Sequence, residues 1–432
     1  MSTNSALKSP LALLPLMLYL AIFVGAGVYF QSQGADFAFY QLSPVVAILP
    51  AIILGLVLSK QRLNDSIETF MKGIGDQNII AMCLIYLLAG AFAAVAKATG
   101  GVDATVALGL TFIPASLLLP GIFLISAFIA TAMGTSMGTI AAVAPVALGI
   151  AEQSGIDTAV MAGAVLSGAI FGDNLSIISD TTIAATRTQG AQMKDKFREN
   201  LRVAVPTAII VMVLFALSTG GQVALEPQQI ELAKVLPYLA ILILAVSGLN
   251  VFLVLSIGIL LAGGTALVGG DYGFMTFGQD IYKGFTNMQE IFLLSMLVGG
   301  LAALMKQQGG IAWLTGRIAN WIGNTTSPKA AELGMGALVA ATNVCVANNT
   351  VSIIVAGPVA KELSEEHDVS PKRAAATLDI FSCIIQGLIP YGAQALLLAS
   401  TFALSPLTVI AHGWYCMLLA VVAIATILWR QR

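Results

Sequence analysis

Charge is what this chain has least of. Only 10% of its 432 residues are Asp, Glu, Lys or Arg, against about 25% in soluble domains, and 58% are hydrophobic. Water could not solvate such a surface, so a soluble globular protein is excluded and an integral membrane protein is indicated. Acidic and basic residues nearly cancel, at a net charge of −2, and no basic patch with interleaved aromatics marks nucleic acid as a partner. Histidine is scarcer still, at two residues. Gly134-Thr135-Ser136-Met137-Gly138 fits the G-x-S-x-G spacing of a hydrolase nucleophile. His367 and His412 fall on opposite sides of the membrane in the map below, so that serine lacks a base and an enzyme is not expected. Cys83, Cys345, Cys383 and Cys416 lie in apolar surroundings without paired spacing, which argues against a disulfide framework or a zinc site. No repeated selectivity-filter sequence marks a channel, and the alternation of barrel strands is missing.

What is present is a series of apolar runs, from Leu11 to Leu428, of the roughly 17 to 25 residues that cross a bilayer as helices. The first, Leu11 to Phe30, exceeds the apolar core of a signal peptide and no A-x-A-like site follows it, so it reads as a helix. The expected fold is all-α and polytopic, with the lipid bilayer as its first partner.

Sliding the sequence on itself exposes a repeat. A shift of 209 aligns Gly90 with Gly299, Lys97 with Lys306 and Gly100-Gly101 with Gly309-Gly310; a shift of 211 aligns Lys72-Gly73 with Lys283-Gly284; a shift of 213 aligns Pro145-Val146-Ala147 with Pro358-Val359-Ala360. Two halves follow, 1–220 and 221–432. Each reads as two spanning helices, a polar loop, a third helix, a shorter apolar segment (102–119 in the first half), a re-entrant hairpin of two broken pieces, a discontinuous helix and a last helix. With the short segment at the interface, each half crosses five times, about ten transmembrane helices in all, and the odd number makes the repeats inverted. With the N-terminus inside, all of the twenty Lys and Arg except Lys97, Lys234 and Lys283 fall on the cytoplasmic side, as the positive-inside rule requires. The expected location is a bacterial inner membrane, with both termini cytoplasmic.

The polar residues gather where the helices break. In the first half "ATAMGTSMGT" carries Thr135 and Ser136, and "FGDNLSIISDTT" carries Asp173, Asn174, Ser176, Ser179, Asp180, Thr181 and Thr182. In the second, "ATNVCVANNT" supplies Asn343, Asn348, Asn349 and Thr350, and "CIIQGLIPYGAQ" supplies Gln386, Tyr391 and Gln394. Non-helical backbone survives at bilayer depth only when it is buried in protein or lines a cavity, because each unpaired N–H or C=O is costly there. The breaks therefore mark the cavity. Half-helix N-termini offer free N–H groups to anions and half-helix C-termini offer carbonyls to cations, so one site can hold both signs.

Under the repeat Asp173 pairs with Gln386 and Asp180 with Ala393, so the carboxylates belong to one half. A carboxylate at such depth costs roughly 2.5–3.5 kcal/mol without a partner. A sodium ion or a proton is such a partner, and each excludes the other, so exchange can arise from that competition alone. Asp173 and Asp180 are the expected metal ligands, with sodium as transported or coupling ion and no other cofactor. Blander roles stand beside these. Ser179 and Asp180 can cap the second half-helix, and Asn343, Asn348, Asn349 and Thr350 can bond between helices. Asp379 either faces the cavity or pairs with Arg373. Glu290 reads as solvated or capping, and Lys194 to Arg202 as a basic cytoplasmic loop that orients the chain.

"FGDNLSIISDTT" resembles the G-D-x-x-S-x-x-S-D-T-T signature of the NhaC-type sodium/proton antiporters, within the ion transporter superfamily of inverted repeats and re-entrant hairpins. The similarity runs through most of the chain. It implies an inner-membrane, cation-coupled exchanger moving its mobile elements against a scaffold, with Asp173, Ser176, Ser179, Asp180, Thr181 and Thr182 carrying ion binding. It also admits a homodimer. The chain departs from the family in placing Ser176-Ile177 where Ser-Pro is usual. Asn348-Asn349-Thr350 is similar to the Ser-Asn-Thr tips with which the superfamily's carboxylate transporters hold substrate. Two versions of transport stand open: sodium/proton exchange, and cation-coupled movement of a small organic acid or amino acid. Oxygen ligands for sodium and N–H donors for an organic anion are both present.

Overall fold

The fold was analysed as a computed structural model that describes residues 9–33, 41–112, 114–177, 179–218, 231–247, 249–270, 272–323 and 327–429. Lys8, Arg430, Arg432 and the boundary between the halves lie outside the described residues. Among the described residues the regular structure is helical throughout. The first half runs through α1 (Leu14–Ser32), α2 (Pro44–Ala47), α3 (Leu49–Val57), α4 (Leu63–Ile74), α5 (Gln77–Ala98), α6 (Gly101–Phe112), α7 (Leu118–Met133), α8 (Ser136–Ser154), α9 (Thr158–Leu175), α10 (Asp180–Gln189) and α11 (Met193–Ser218). The second follows the same series with α12 (Leu232–Val246), α13 (Val251–Gly269), α14 (Phe274–Asn287), α15 (Gln289–Gln307), α16 (Gly310–Gly323), α17 (Pro328–Val346), α18 (Asn349–Glu366), α19 (Pro371–Gln386), α20 (Ala393–Phe402), α21 (Pro406–Ala411) and α22 (Trp414–Trp429). Among the described residues, six stretches are long and apolar enough to cross a membrane: Pro10–Phe30, Gln77–Ala98, Thr158–Gln189 taken through its interruption, Met193–Ser218, Val251–Gly269 and Gln289–Gln307. The chain is a helical membrane protein.

Two sequence expectations change, and a third segment keeps its expected shortness. The polar loops are helices: in α4 Leu63, Ile67, Phe70, Met71 and Ile74 recur at helical spacing while Asp65, Glu68 and Lys72 take the other face, and this period outweighs the polarity that suggested a loop. Leu63, Ile67 and Met71 are exposed, which suits a helix lying along the bilayer surface. The segment 102–119 is α6, at 12 residues, followed by a 3-10 turn at Ala115–Leu117. At 1.5 Å per residue α6 reaches roughly 18 Å, short of the ~30 Å hydrocarbon core. The supposed basic loop Lys194 to Arg202 forms the first turns of α11, which begins at Met193.

Equivalent elements of the two halves pack reciprocally. α4 lies on α15 while its counterpart α14 lies on α5; α10 packs on α18 and α20 on α8; α11 packs on α19 and α22 on α9. The centre of this arrangement is the crossing of α5 with α15. There Tyr86 Oη lies 3.2 Å from Ser295 Oγ and Cys83 Sγ lies 3.6 Å from the Phe292 carbonyl, each residue meeting the one 209 positions on. Ile79 abuts Gly299 and Met288 abuts Gly90, so residue numbers rise along one helix as they fall along the other. The two helices are antiparallel.

Small residues permit the close approach beside that crossing. A Cβ on Gly90 would stand 2.4 Å from the Gly284 carbonyl oxygen, and one on Gly284 would stand 2.4 Å from that of Gly90. Backbone cannot retreat as a side-chain tip can, so any larger residue pushes α5 and α14 apart. Gly264 of α13, by contrast, has nothing within 4 Å of where its Cβ would be. We expect Gly90→Leu to destabilise the purified protein by at least the ~1–3 kcal/mol of an overpacked core, seen as a lower melting temperature in detergent, and Gly264→Leu to leave the melting temperature within error of wild type.

Candidate functional site

The four helix breaks meet. α7 turns into α8 through Gly134, whose φ of 69° is left-handed. Its counterpart Ala347, between α17 and α18, has φ 53°, a conformation an L residue adopts only at a cost of roughly 1–2 kcal/mol. α9 ends at Leu175, and α10 begins after Ser179, whose Oγ accepts the Thr182 N–H at 3.2 Å. In the second half α19 ends at Gln386 and α20 begins after Gly392. Between these ends lies a cavity of about 130 Å³, lined by Asn78, Met82 and Ile85 of α5, Gly134 to Met137, Asp173, Asp180, Thr181, Asn348 to Thr350, Gln386 and Gln394.

Asp173 forms the floor, 5% exposed. Its Oδ2 accepts the Ser136 hydroxyl at 2.8 Å and the Ser136 backbone N–H at 3.3 Å. The N-terminus of α8 thus points at the carboxylate, and the positive end of a helix dipole favours an anion there. Close packing of α9 on α7 sets this geometry: a Cβ on Gly172 would stand 2.2 Å from the Ala127 carbonyl oxygen. The other half supplies a chain of amides. Gln394 Nε2 donates to Ser136 Oγ at 3.0 Å, and Gln386 Nε2 donates to Gln394 Oε1 at 2.8 Å. Asp180 and Asn78 are exposed, so the cavity runs from a polar mouth to a buried acid. A protonated or sodium-bearing Asp173 and a bare one are the states such a site can exchange.

Of the residues singled out in sequence, Thr135, Ser136, Asp173, Asp180, Thr181, Asn348, Asn349, Thr350, Gln386 and Gln394 share the cavity wall. The rest brace it. Ser176 Oγ donates to the Thr131 carbonyl at 2.9 Å, and Thr182 Oγ1 donates to the Ser176 carbonyl at 2.7 Å. Asn343 Nδ2 donates to the Ser382 carbonyl at 2.9 Å, and Tyr391 Oη to the Val344 carbonyl at 2.6 Å. Ser179 caps α10, and Asn348 caps α18 by accepting the Val351 N–H at 2.9 Å. Glu290 accepts the Ser43 hydroxyl at 2.6 Å in the first turn of α15.

Asn174 faces away, into a second polar centre. There Asp379 does not pair with Arg373, which instead holds Glu332. Its partner is Lys196, at 2.7 Å, with side chains 1% and 0% exposed. Lys196 Nζ also donates to Thr182 Oγ1 at 2.7 Å and to the Asn174 carbonyl at 3.2 Å, one of the carbonyls left free at the end of α9. Asn200 Nδ2 donates to Asp379 Oδ2 at 2.7 Å. Lys196, Asn200 and Asn78 had not been singled out. The signal was there for the first two: Lys196, Asn200, Val203, Thr207, Val211 and Phe215 are buried at helical spacing along α11, a period that starts inside the charged run.

The family profile described as Na+/H+ antiporter family matches residues 3–221 and 232–430. Among curated proteins, the chain is 26% identical to the Na(+)/H(+) antiporter NhaC of Alkalihalophilus pseudofirmus, over 87% of each chain. It is 25% identical to the arginine/ornithine antiporter ArcD of Halobacterium salinarum, over 79% of this chain and 77% of that one. It is 33% identical to a malate-2H(+)/Na(+)-lactate antiporter of Bacillus subtilis, over 40% of this chain and 37% of that one.

Removing one partner of a buried ion pair strands the other charge, at a cost of roughly 3–5 kcal/mol. Lys196→Gln and Asp379→Asn should therefore each lower the melting temperature in detergent, and the double variant should recover most of the loss. Additive losses in the double variant would mean that the two charges do not answer each other.

Proposed function

The chain belongs to the Na+/H+ antiporter family, and on that premise we propose that it exchanges sodium for protons at the cavity floored by Asp173. The observation that carries this is a buried carboxylate that accepts the N–H and hydroxyl of Ser136 at a helix N-terminus, at the end of a cavity entered past a second carboxylate, Asp180. Sodium and a proton compete for the same oxygens, so one leaves as the other arrives. Thr135, Ser136 and Thr181 supply further neutral oxygens of the kind hard cations take. The hairpin tips, one from each half, are the parts whose movement would open the site alternately to either side.

The orientation is part of the same proposal. In a bacterial inner membrane with cytoplasmic termini, Lys60, Arg62 and Lys72 face the cytoplasm, and so does the cavity mouth at Asn78. The antiparallel crossing of α5 and α15, with the reciprocal packing around it, supports two inverted repeats meeting near the boundary of 1–220 and 221–432. A second version has one observation in its favour: Asn348, Asn349, Gln386 and Gln394 bring N–H donors to the same wall, as an organic anion or amino acid would need. The volume, about 130 Å³, limits any such solute to a small one, since pockets for drug-sized ligands begin at roughly 300 Å³.

Proteoliposomes with an imposed sodium gradient and an entrapped pH dye decide between them. We expect sodium alone to drive proton movement, Asp173→Asn and Asp180→Asn to reduce it at least about 100-fold with insertion intact, and added malate, lactate, arginine or ornithine to change nothing. Proton movement that waits for one of those solutes would transfer the site to the second version; unaltered exchange in either variant would retire that residue.

A further inference from the structure

The centre built on Asp379 has an imbalance that the ion pair with Lys196 does not remove. Asp379 Oδ2 takes three donors, from Lys196 at 2.7 Å, Asn200 at 2.7 Å and Asn174 at 3.0 Å. Asp379 Oδ1 has no hydrogen-bond partner among the described residues, and neither have Asn174 Oδ1 and Asn200 Oδ1, although all three residues are fully buried. The amides cannot be turned to cure this. Reversing Asn174 would set its oxygen against the carboxylate, and reversing Asn200 would do the same while also losing its 2.8 Å bond to the Asn174 carbonyl. The three unpartnered atoms are oxygens on groups that surround one carboxylate, and each leaves a buried acceptor unsatisfied. A set of acceptors with no donor is answered by a cation.

We propose that Asp379, Asn174 and Asn200 form a second sodium site, distinct from the Asp173 cavity, at which the Lys196 ammonium is a tethered competitor. Lys196 Nζ already sits among three oxygens, those of Asp379, Thr182 and the Asn174 backbone, so it occupies the position of an ion that happens to be attached to the chain. Sodium entering at Oδ1 puts two cations on one carboxylate and weakens the hold of Lys196. Asp379 lies on α19 in the second half, whereas Lys196, Asn174 and Thr182 lie on α11, α9 and α10 in the first. Occupancy by sodium therefore loosens a tie between the halves. Asn174 adjoins Asp173 in the chain, so the two centres are neighbours at the end of α9. The choice of sodium as the ion rests on the exchange proposed above; the oxygen cluster does not.

Equilibrium dialysis with radioactive sodium on the purified full chain in detergent tests this. Wild type should bind two ions per chain at saturation. Lys196→Gln should still bind two, one of them at least about ten times more tightly because the competitor is gone. The double variant Lys196→Gln with Asp379→Asn, which strands no charge, should bind one, and Asp173→Asn should keep the ion at Asp379. If Lys196→Gln binds sodium no more tightly and in no greater number than the double variant, the unpartnered oxygens take water only and the proposal is overturned. If instead Asp173→Asn keeps both ions while the double variant loses one, the cavity proposal fails and this one stands.

Discussion

A carboxylate withdrawn from water must be answered, and the whole arrangement turns on how two of the buried acids, Asp173 and Asp379, are answered. Asp173 is met by the hydroxyl and N–H of Ser136, at the start of a half-helix. Asp379 is met by the ammonium of Lys196 and by two amides. In both cases the answer comes from a different helix, so the charge and its partner bind the fold together. A desolvated ion pair is weak evidence for stability, since replacing it with apolar residues is often neutral or better. The pair stands at the junction of α9, α10, α11 and α19, where it ties the two halves together.

The reciprocal packing of the helices sharpens this. Helices pack on one another in reciprocal pairs, and equivalent residues meet at the crossing of α5 and α15. The chemistry is not shared in that way. Gln386 stands where the first half has Asp173, and Ala393 where it has Asp180. Asp379 has Leu166 as its counterpart, and Lys196 has Val409. Equivalent backbones thus present hairpin tips and broken helices twice, while the ionisable groups occur once.

Much of the frame was legible in the sequence because it follows from hydropathy and spacing. The paucity of charge required a bilayer, and the polar stretches ATAMGTSMGT, FGDNLSIISDTT, ATNVCVANNT and CIIQGLIPYGAQ mark helix ends that the structure brings together. The cavity wall was legible because polar residues in apolar runs need a reason. What escaped detection depends on period and on pairing. Lys196 and Asn200 stand in a charged stretch that looks like a loop until its buried positions are counted along α11, and α4 looked polar although its apolar residues follow a helical stripe. Asp379 pairs across the halves, over 183 positions from Lys196, and no local pattern carries such a partner. Asn343, Ser176 and Tyr391, polar like the lining residues, bond instead to backbone carbonyls around the cavity, a distinction set by side-chain direction.

The central claim is that sodium and a proton compete for the same carboxylate oxygens. The most direct measurement is the release of protons when sodium chloride is added to purified protein in unbuffered detergent solution, with choline chloride as the ionic-strength control. The account predicts a proton release that saturates with sodium, is missing with choline and is lost in Asp173→Asn. Sodium binding without any release of protons would contradict it.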